Sequence, residues 1–309
     1  MDEINTSIIL LTKNAGKDFG RTLEAIARQK NKDYELIIID SESNDSTLGV
    51  IKQYKQKFDQ KKMILVQILS KEFGHGKTRN LGAKIANGEN LVFLTQDAIP
   101  TNENWLDELI EPLKEEGVAG VFGRQLAKKD SSITQHFFND MFYPDAKKIR
   151  TLTNGTKKLE LEDIFFSNVN SAIKKSVWKQ YQFDEEIIMS EDQKWAKEVL
   201  LANYKTAYVP NATVWHSHDY NLKQVFQRYF DSSLSLRKVI GINLWPFIKR
   251  GMIYNFKEWK YILKKNPLTL LPTLLYDTMR ISGSLLGMLD LPLFLKKKFS
   301  LHKEYWNSC

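Results

Sequence analysis

The stretch Leu91-Val92-Phe93-Leu94-Thr95-Gln96-Asp97-Ala98 is the most informative part of the chain, because it is an apolar run that stops abruptly at a carboxylate. A short run of β-branched and aromatic residues is typical of a strand buried on both faces of a parallel sheet. Ligands of open α/β sheets bind beyond the carboxyl ends of the strands. The pattern therefore predicts that Asp97 borders a ligand site, although a lone Asp in this position also suits a cap of the following turn.

Apolar runs precede this stretch at regular intervals. Strands are predicted at Thr6–Thr12, Tyr34–Asp40 and Met63–Leu69, and apolar residues at helical spacing predict a helix after each strand. A strand-to-strand spacing of roughly 25 to 30 residues suits right-handed βαβ units. We therefore predict an α/β fold, with a sheet that carries helices on both faces.

The second half of the chain lacks the regular alternation of predicted strands and helices that the first half shows. Glu191 and Asp192 open a predicted helix, where acidic residues also serve simply to complement the helix dipole, so both readings stay open. From Leu222 onward the pattern is helical, basic and aromatic. The predicted strands of this half are Val118–Gln125, Phe166–Ile173, Thr206–Val209 and Thr213–Trp215.

Charge is distributed unevenly along the 309 residues. The formal net charge is +8, yet the residues from 221 onward carry 15 Lys and Arg against five Asp and Glu, and the first 220 carry 30 against 32. The positive charge therefore belongs to the tail and concerns the tail's partner. The single cysteine, Cys309, excludes an intrachain disulfide framework and favours a reducing compartment, and no signal peptide is recognisable at the N-terminus.

The tail contains an apolar stretch, Leu268 to Leu295, which charged residues and prolines interrupt. We expect no membrane span there. Lysines at both ends favour a pair of helices lying on an anionic membrane surface, and the alternative is a basic bundle packed on the rest of the protein. Nucleic acid is not the expected partner, because the basic residues alternate with long apolar runs.

Carboxylates and imidazoles follow several of the predicted strands, without a nucleophile elbow or a phosphate-binding glycine loop. A site for a sugar nucleotide needs such a set. One carboxylate recognises the base, a second holds a hard divalent cation, and a third removes a proton from the acceptor hydroxyl. The groups in question are Thr12, Asp40, the loop from His75 to Asn80, Asp97, the pair Glu191-Asp192, and the pair His216 and His218.

These motifs resemble those of the family 2 glycosyltransferases, and they are most similar to the bacterial rhamnosyltransferases of that family. The resemblance covers about the first 235 residues. The motifs are Asp-Ser-x-Ser-x-Asp at 40–45, Phe-Gly-His-Gly-Lys-Thr-Arg-Asn at 73–80, Thr-Gln-Asp-Ala at 95–98, Glu-Asp at 191–192, His-Ser-His-Asp-Tyr at 216–220 and Arg-Tyr-Phe-Asp at 228–231.

The resemblance implies a nucleotide-diphospho-sugar transferase fold of the A type (GT-A), which is a Rossmann-like mixed sheet, and it implies roles for individual residues. Asp192 would be the catalytic base with Glu191 beside it, and a cation, Mg²⁺ or Mn²⁺, would be held by Asp97, His216 and His218. Many members of the family have an Asp-x-Asp motif here, and in this chain Thr95 stands in place of its first Asp. The loss of one carboxylate should weaken cation binding. The implied donor-binding residues are Thr12, Asn14, Asp40, Ser41, His75, Gly76, Arg79, Asn80, Gln96 and Asp97.

We therefore predict a catalytic domain in residues 1–235, with a nucleotide-binding half (1–100) and an acceptor half (101–235). A helical, basic, membrane-associating extension would occupy 236–309. The expected activity is inverting transfer of a deoxysugar, from dTDP-rhamnose, to a lipid-linked glycan at the cytoplasmic face of the cell membrane, with the segment 142–160 selecting the acceptor. The alternatives are a UDP-hexose or UDP-N-acetylhexosamine donor, or a non-catalytic module that binds membrane or nucleic acid.

Overall fold

A computed structural model describes residues 4–58, 63–152, 159–241, 244–303 and 305–307. The chain forms two compact units. The first unit consists of Met1–Leu126, Tyr143–Glu186 and Glu191–His216, and the second of Ala127–Phe142, Ile187–Ser190 and Ser217–Cys309. Within the predicted acceptor segment, residues 153–158 lie outside the described residues, as does Cys309.

The described strands all belong to the first unit, whereas helices occur in both. The strands are β1 (Thr6–Thr12), β2 (Tyr34–Asp40), β3 (Met63–Gln67), β4 (Asn90–Thr95), β5 (Ile99–Pro100), β6 (Val118–Leu126), β7 (Lys148–Arg150), β8 (Asn170–Lys174) and β9 (Lys205–Trp215). The helices are α1 (Phe19–Ala27), α2 (Thr47–Tyr54), α3 (His75–Ile85), α4 (Trp105–Ile110), α5 (Ile133–Phe142), α6 (Lys175–Trp178), α7 (Glu191–Leu201), α8 (Leu222–Ile240), α9 (Leu244–Lys265), α10 (Leu270–Gly287) and α11 (Leu293–Phe299). Short 3-10 turns lie at Lys55–Lys57, Ser70–Glu72, Glu111–Lys114, Pro267–Thr269 and Tyr305–Asn307.

One mixed sheet joins the strands in the order β3-β2-β1-β4-β8-β6-β9-β5, with β7 paired to β9. Strands β1, β2, β3 and β4 are mutually parallel. Strand β8 is antiparallel to both β4 and β6, and β6 is parallel to β9. Strand β4 thus has a parallel neighbour on one side and an antiparallel neighbour on the other. This confirms the mixed sheet that the resemblance implies, whereas the Leu91–Ala98 pattern alone indicates a parallel sheet.

Alternating side chains of the strands pack against helices on both faces of the sheet. Ile8 and Leu10 belong to the core cluster that includes Leu23 and Ile26 of α1 and Trp105 of α4. On the opposite face, α3 approaches β1 so closely that a Cβ added to Gly82 would lie 2.5 Å from Cγ2 of Ile9. Successive strand residues point to opposite faces, so these two contacts confirm the predicted covering by helices.

The observed elements differ from the predicted ones chiefly at three places. The two short strands predicted at 206–209 and 213–215 are one strand, β9, which shifts register against β6 between Gly123 and Arg124. The predicted loop at His75 is instead the first turn of α3. The predicted strand at 166–173 begins only at Asn170, which leaves Asn168 and Val169 in the connection that precedes β8.

The second unit is helical, and two charged residues of its apolar stretch, Asp277 and Arg280, are buried. Arg280 of α10 forms ion pairs with Glu258 of α9 and with Asp277, and it donates a 2.7 Å hydrogen bond to Asn255. Asp277 also accepts a 2.7 Å hydrogen bond from the Trp259 indole. Asp277 and Arg280, two of the charged residues that interrupt the apolar stretch, are thus paired with each other and with polar groups of α9, whereas Asp290 is exposed. No helix among the described residues is both long enough and apolar enough to cross a bilayer. The division predicted after residue 235 stays a prediction, and it falls within α8.

Gly76 allows the first turn of α3 to lie directly on the backbone at Asp184. A Cβ at Gly76 would lie 2.1 Å from the Asp184 carbonyl oxygen, and backbone cannot move aside as easily as a flexible side chain. We expect Gly76→Ala to lower the free energy of unfolding by about 1–3 kcal/mol, as overpacking does.

Gly49 offers a matched control, because it also lies in a helix and a Cβ there would meet nothing within 4 Å. Gly49→Ala should raise the free energy of unfolding by up to roughly 1 kcal/mol through helix propensity. Urea denaturation of both variants measures the difference. Equal stabilities would contradict the close contact at Asp184.

Candidate active site

The strand directions bring the ends of distant segments to one edge of the sheet. Because β8 is antiparallel to β4 and to β6, the carboxyl ends of β1, β2, β4, β6 and β9 lie at the edge where β8 begins. Register confirms the alignment, since Thr12 lies beside Asp40 and Leu11 beside Thr95. The predicted polar groups at the strand ends therefore do come together.

Asp40 is fully buried and organises the turn that follows β2. Its carboxylate accepts hydrogen bonds from Thr12 Oγ1 at 3.1 Å, Ser43 N at 3.0 Å and Ser43 Oγ at 2.5 Å. The adjacent Ser41 is also buried, and its hydroxyl has no hydrogen-bond partner among the described residues. Recognition of the nucleoside by Thr12, Asp40 and Ser41 stays a prediction.

Two further residues in the predicted donor set connect neighbouring loops at this edge. Gln96 Oε1 accepts a 2.9 Å hydrogen bond from Lys13 N, and Gln96 Nε2 donates to Lys13 O at 3.3 Å. Asn14 has a φ of +48° and accepts a 2.9 Å hydrogen bond from Asn44 N. These contacts hold the loop after β1 against the ends of β2 and β4, so both residues shape the edge whether or not they touch a ligand.

Asp97 and His216 form the part of the predicted cation site that lies in the first unit. Asp97 Oδ1 lies 3.7 Å from His216 Nε2. The backbone N–H of His216 is fixed by a 2.9 Å hydrogen bond to Leu126 O, and its Nδ1 lies 2.9 Å from Gln125 Oε1. His218 follows two residues later, within the second unit. Its part in the site stays a prediction from sequence.

A single divalent cation fits between these two groups. Bonds from a divalent cation to carboxylate oxygen or imidazole nitrogen are roughly 2.0–2.2 Å long, and of these two ligands the carboxylate is the one that Mg²⁺ and Mn²⁺ prefer. Two ligand atoms 3.7 Å apart both reach such an ion, because their separation is less than twice that bond length. The pair supplies only one carboxylate, and the weakened cation binding expected from Thr95 stays a prediction.

The predicted catalytic pair opens α7. Asp192 Oδ2 accepts a 3.0 Å hydrogen bond from Asn168 N, which ties the carboxylate to the connection before β8. Glu191 is buried and forms a 2.7 Å ion pair with Arg79 of α3. The charge of Glu191 is therefore neutralised by Arg79. Asp192 is only half-buried. Of the two carboxylates, Asp192 is the more exposed, and its role as the catalytic base stays a prediction.

Burial and the neighbouring Glu191 carboxylate raise the pKa of Asp192 from its ordinary value to about 7. The hydrogen bond from Asn168 and the positive charge of Arg79 act in the opposite direction. A carboxylate with a pKa near neutrality is well matched to accept a proton in a reaction at physiological pH.

Three other predicted donor-binding residues have structural contacts in α3. Asn80 uses its whole amide, since it donates to Phe183 O and Glu185 Oε1 and accepts from Trp178 Nε1 and Phe183 N. Gly76 packs on Asp184, and His75 lies edge-to-face on Phe73. The predicted nucleotide contacts of Asn80, His75 and Gly76 stay predictions, and the structure shows these residues in contacts within the protein.

The family model for glycosyl transferase family 2 matches residues 7–182, which include most of the sheet and the groups described above up to Asn168. The chain belongs to glycosyl transferase family 2. The enzyme is thus a glycosyltransferase, and the alternative of a non-catalytic module is set aside.

Curated relatives of this glycosyltransferase match it along almost its whole length. It is 33% identical to the O-antigen chain rhamnosyltransferase RfbN of Salmonella typhimurium, over 98% of this chain and 96% of that protein. It is also 33% identical to the O-antigen chain rhamnosyltransferase WbaN of Salmonella anatum, with the same coverage.

Solved structures confirm the GT-A type of fold. The mannosyltransferase PcManGT from Pyrobaculum calidifontis, in complex with GDP-Man and Mn²⁺, has a TM-score of 0.63 at 15% identity, covering 91% of this chain and 84% of that one. Residues 1–349 of TarS from S. aureus, in complex with UDP-GlcNAc, have a TM-score of 0.56 at 17% identity, covering 97% of this chain and 85% of that one. At these identities the likeness concerns the fold alone.

Two residues of the glycosyltransferase's site were absent from the predicted set. Gln125 contacts His216, and Asn168 contacts both members of the acidic pair, with its side-chain amide 3.4 Å from Glu191. Both lie next to strand termini. An amide at a strand end carries little signal by itself, because the contact depends on which distant segment the sheet places beside it.

The pKa of Asp192 yields a prediction about the pH dependence of transfer. The wild-type rate should rise as the pH increases through about 7, because Asp192 must be deprotonated to act as a base. Glu191→Gln removes a negative neighbour and leaves the Arg79 charge unpaired, and both changes lower the pKa of Asp192. The pH at which kcat rises should therefore be lower in this variant than in wild type, by on the order of one pH unit.

Glu198→Gln is the matched control, since Glu198 lies on the same helix and pairs with Lys194 at 3.6 Å. In this variant kcat should rise over the same pH range as in wild type. If kcat of Glu191→Gln rose at the same pH as in wild type or at a higher pH, the assigned electrostatic effect of Glu191 on Asp192 would be contradicted.

Proposed function

We propose that this enzyme transfers rhamnose from dTDP-rhamnose, with inversion, to a hydroxyl of a growing lipid-linked cell-surface polysaccharide. The observation that carries the proposal is the match, along nearly the entire chain, to two O-antigen chain rhamnosyltransferases. A match of this extent includes the donor-binding and the acceptor-binding parts together. The likeness to TarS with UDP-GlcNAc is one of fold and does not favour a UDP-sugar donor.

In the proposed reaction Asp192 removes the proton from the acceptor hydroxyl. The acceptor oxygen forms a bond to the anomeric carbon while the bond from that carbon to the diphosphate oxygen breaks, so the configuration inverts in one step. The proton resides on Asp192 and the electron pair leaves with the diphosphate. A half-buried carboxylate with a raised pKa and a fixed backbone hydrogen bond suits this role.

Asp97 and His216 are the residues proposed to hold Mg²⁺ or Mn²⁺, with His218 as a third ligand. Such a cation would neutralise the charge of the departing diphosphate. The two groups of the first unit support the assignment through their 3.7 Å separation and through the fixed orientation of the imidazole.

Two measurements test the base and the donor. Asp192→Asn should lower dTDP release from dTDP-rhamnose by roughly 10²- to 10⁴-fold, the usual contribution of a general base. Glu198→Gln should retain the wild-type rate. A wild-type rate in Asp192→Asn would exclude the proposed base. Calorimetric titration in the presence of Mn²⁺ should show dTDP binding more tightly than UDP or GDP, and the reverse order would exclude the proposed donor.

We also propose that the second unit binds the cytoplasmic surface of the cell membrane, where a lipid-linked acceptor would be located. Helix α9 carries an exposed apolar stripe of Trp245, Met252, Phe256 and Leu263, spaced by seven, four and seven residues and hence on one helix face. This face is distinct from the buried face, which includes Asn255, Glu258 and Ile262. Exposed lysines flank the stripe at Lys249, Lys257, Lys260 and Lys264.

Helix α10 supports the same proposal. Its two charged residues, Asp277 and Arg280, are buried, so its exposed positions are uncharged and include Leu271, Leu275 and Ile281. Helix α11 adds an exposed Phe294 and the run Lys296–Lys298. Exposed apolar side chains together with lysines are complementary to an anionic bilayer, which accepts apolar groups at its interface and attracts positive charge.

Vesicle sedimentation tests the membrane surface. The protein should bind vesicles of phosphatidylcholine mixed with phosphatidylglycerol more strongly than vesicles of phosphatidylcholine alone. The double variant Trp245→Ala/Phe256→Ala should bind about ten-fold or more weakly, because two side chains that are each 69% exposed lose their apolar burial. Leu201→Ala, an exposed leucine of the first unit, is the control. Equal binding by the double variant and the wild type would contradict the proposal.

A further inference from the structure

Gln125 stands at the end of β6 with its side-chain amide buried and fully engaged. Its Nε2 donates hydrogen bonds to the Tyr143 hydroxyl at 2.7 Å and to Ser167 Oγ at 3.0 Å. Its Oε1 lies 2.9 Å from His216 Nδ1. Gln125 is 4% exposed and Tyr143 is 3% exposed, so solvent does not compete for these bonds.

This arrangement selects one tautomer of His216. The structure places Gln125 Oε1 toward His216 and Nε2 toward the hydroxyl oxygens of Tyr143 and Ser167. A carbonyl oxygen can only accept a hydrogen bond. A neutral imidazole that hydrogen-bonds to this oxygen carries its proton on Nδ1. The unprotonated nitrogen is then Nε2, which is the atom 3.7 Å from the Asp97 carboxylate.

We infer that Gln125 is a positioning residue that holds His216 in the tautomer and ring orientation required of a cation ligand. The inference rests on the proposed role of Asp97 and His216 as cation ligands, and it adds Gln125 as the residue that orients His216. A histidine that binds a metal through one nitrogen generally donates a hydrogen bond from the other, and loss of that partner costs roughly 10- to 100-fold in metal affinity. Tyr143 and Ser167 would act one step further away, by keeping the Gln125 carbonyl turned toward the ring.

The pair of β6 and β9 explains why the contact is rigid. His216 follows β9 directly, and its backbone N–H donates to Leu126 O, next to Gln125. Strand pairing joins Gln125 to Val214 and Leu126 to Trp215. The backbones of both partners are therefore held by the same ladder, and the side-chain hydrogen bond closes a short, stiff loop between them.

The tautomer is measurable in the metal-free protein. In ¹⁵N-histidine-labelled wild type, long-range ¹H–¹⁵N correlations should show His216 with its proton on Nδ1, and the His216→Gln spectrum assigns that signal among the five histidines. In Gln125→Leu, which removes the acceptor, the Nε2–H tautomer should become populated. Gln125→Glu retains an acceptor oxygen and should retain the Nδ1–H form.

Cation binding is measured separately, with Mn²⁺ alone, by electron paramagnetic resonance of the free ion. Gln125→Leu should bind Mn²⁺ roughly 10- to 100-fold more weakly than wild type. Gln125→Glu should remain close to wild type, which also controls for misfolding at this buried position. Tyr143→Phe, which alters the same cluster without touching His216, should weaken binding less than Gln125→Leu does.

The outcomes separate this inference from the proposed function. His216 protonated on Nε2 in wild type, or the same tautomer and Mn²⁺ affinity in Gln125→Leu as in wild type, would overturn the role of Gln125. A wild-type protein that binds no Mn²⁺ but shows the Gln125-dependent tautomer would overturn the cation site instead.

Discussion

The common direction of five strands is the constraint on which the active site depends. Because β8 runs antiparallel to both β4 and β6, the carboxyl ends of β1, β2, β4, β6 and β9 share one edge of the sheet. Residues as far apart in sequence as Asp40 and His216 thereby reach one edge. Their contacts with neighbours at that edge follow from strand pairing, which backbone hydrogen bonds make rigid.

The two carboxylates of the acidic pair, Glu191 and Asp192, differ in how their negative charges are compensated. Arg79 neutralises Glu191, whereas Asp192 accepts hydrogen bonds from backbone N–H groups and, among the described residues, has no cation within hydrogen-bonding distance. Burial beside a second carboxylate then favours the protonated form of Asp192. A carboxylate that gains a proton readily near neutral pH is suited to the base role proposed for Asp192. The second unit shows the opposite balance, since Arg280 pairs with both Glu258 and Asp277.

Much of the fold was predictable from the sequence, and the site was predictable in part. Strands such as Tyr34–Asp40 are continuous apolar runs, which have few alternative interpretations, and their terminal carboxylates mark the ligand edge. The orientation of β8 was not predictable, because its residues carry no signal of direction. Gln125, Asn168 and the ion pair of Arg79 with Glu191 were missed for a related reason. Each depends on a contact between segments distant in sequence, where either residue alone looks like an ordinary polar side chain.

The most direct test of the convergence at this edge is a crystal structure of the enzyme with dTDP and Mn²⁺. It should show one ion in contact with Asp97 and His216 and with the diphosphate, the nucleoside beside the Thr12–Asp40 end of the sheet, and Asp192 facing the position of the anomeric carbon. A nucleotide bound elsewhere, or an ion that touches neither Asp97 nor His216, would contradict the account.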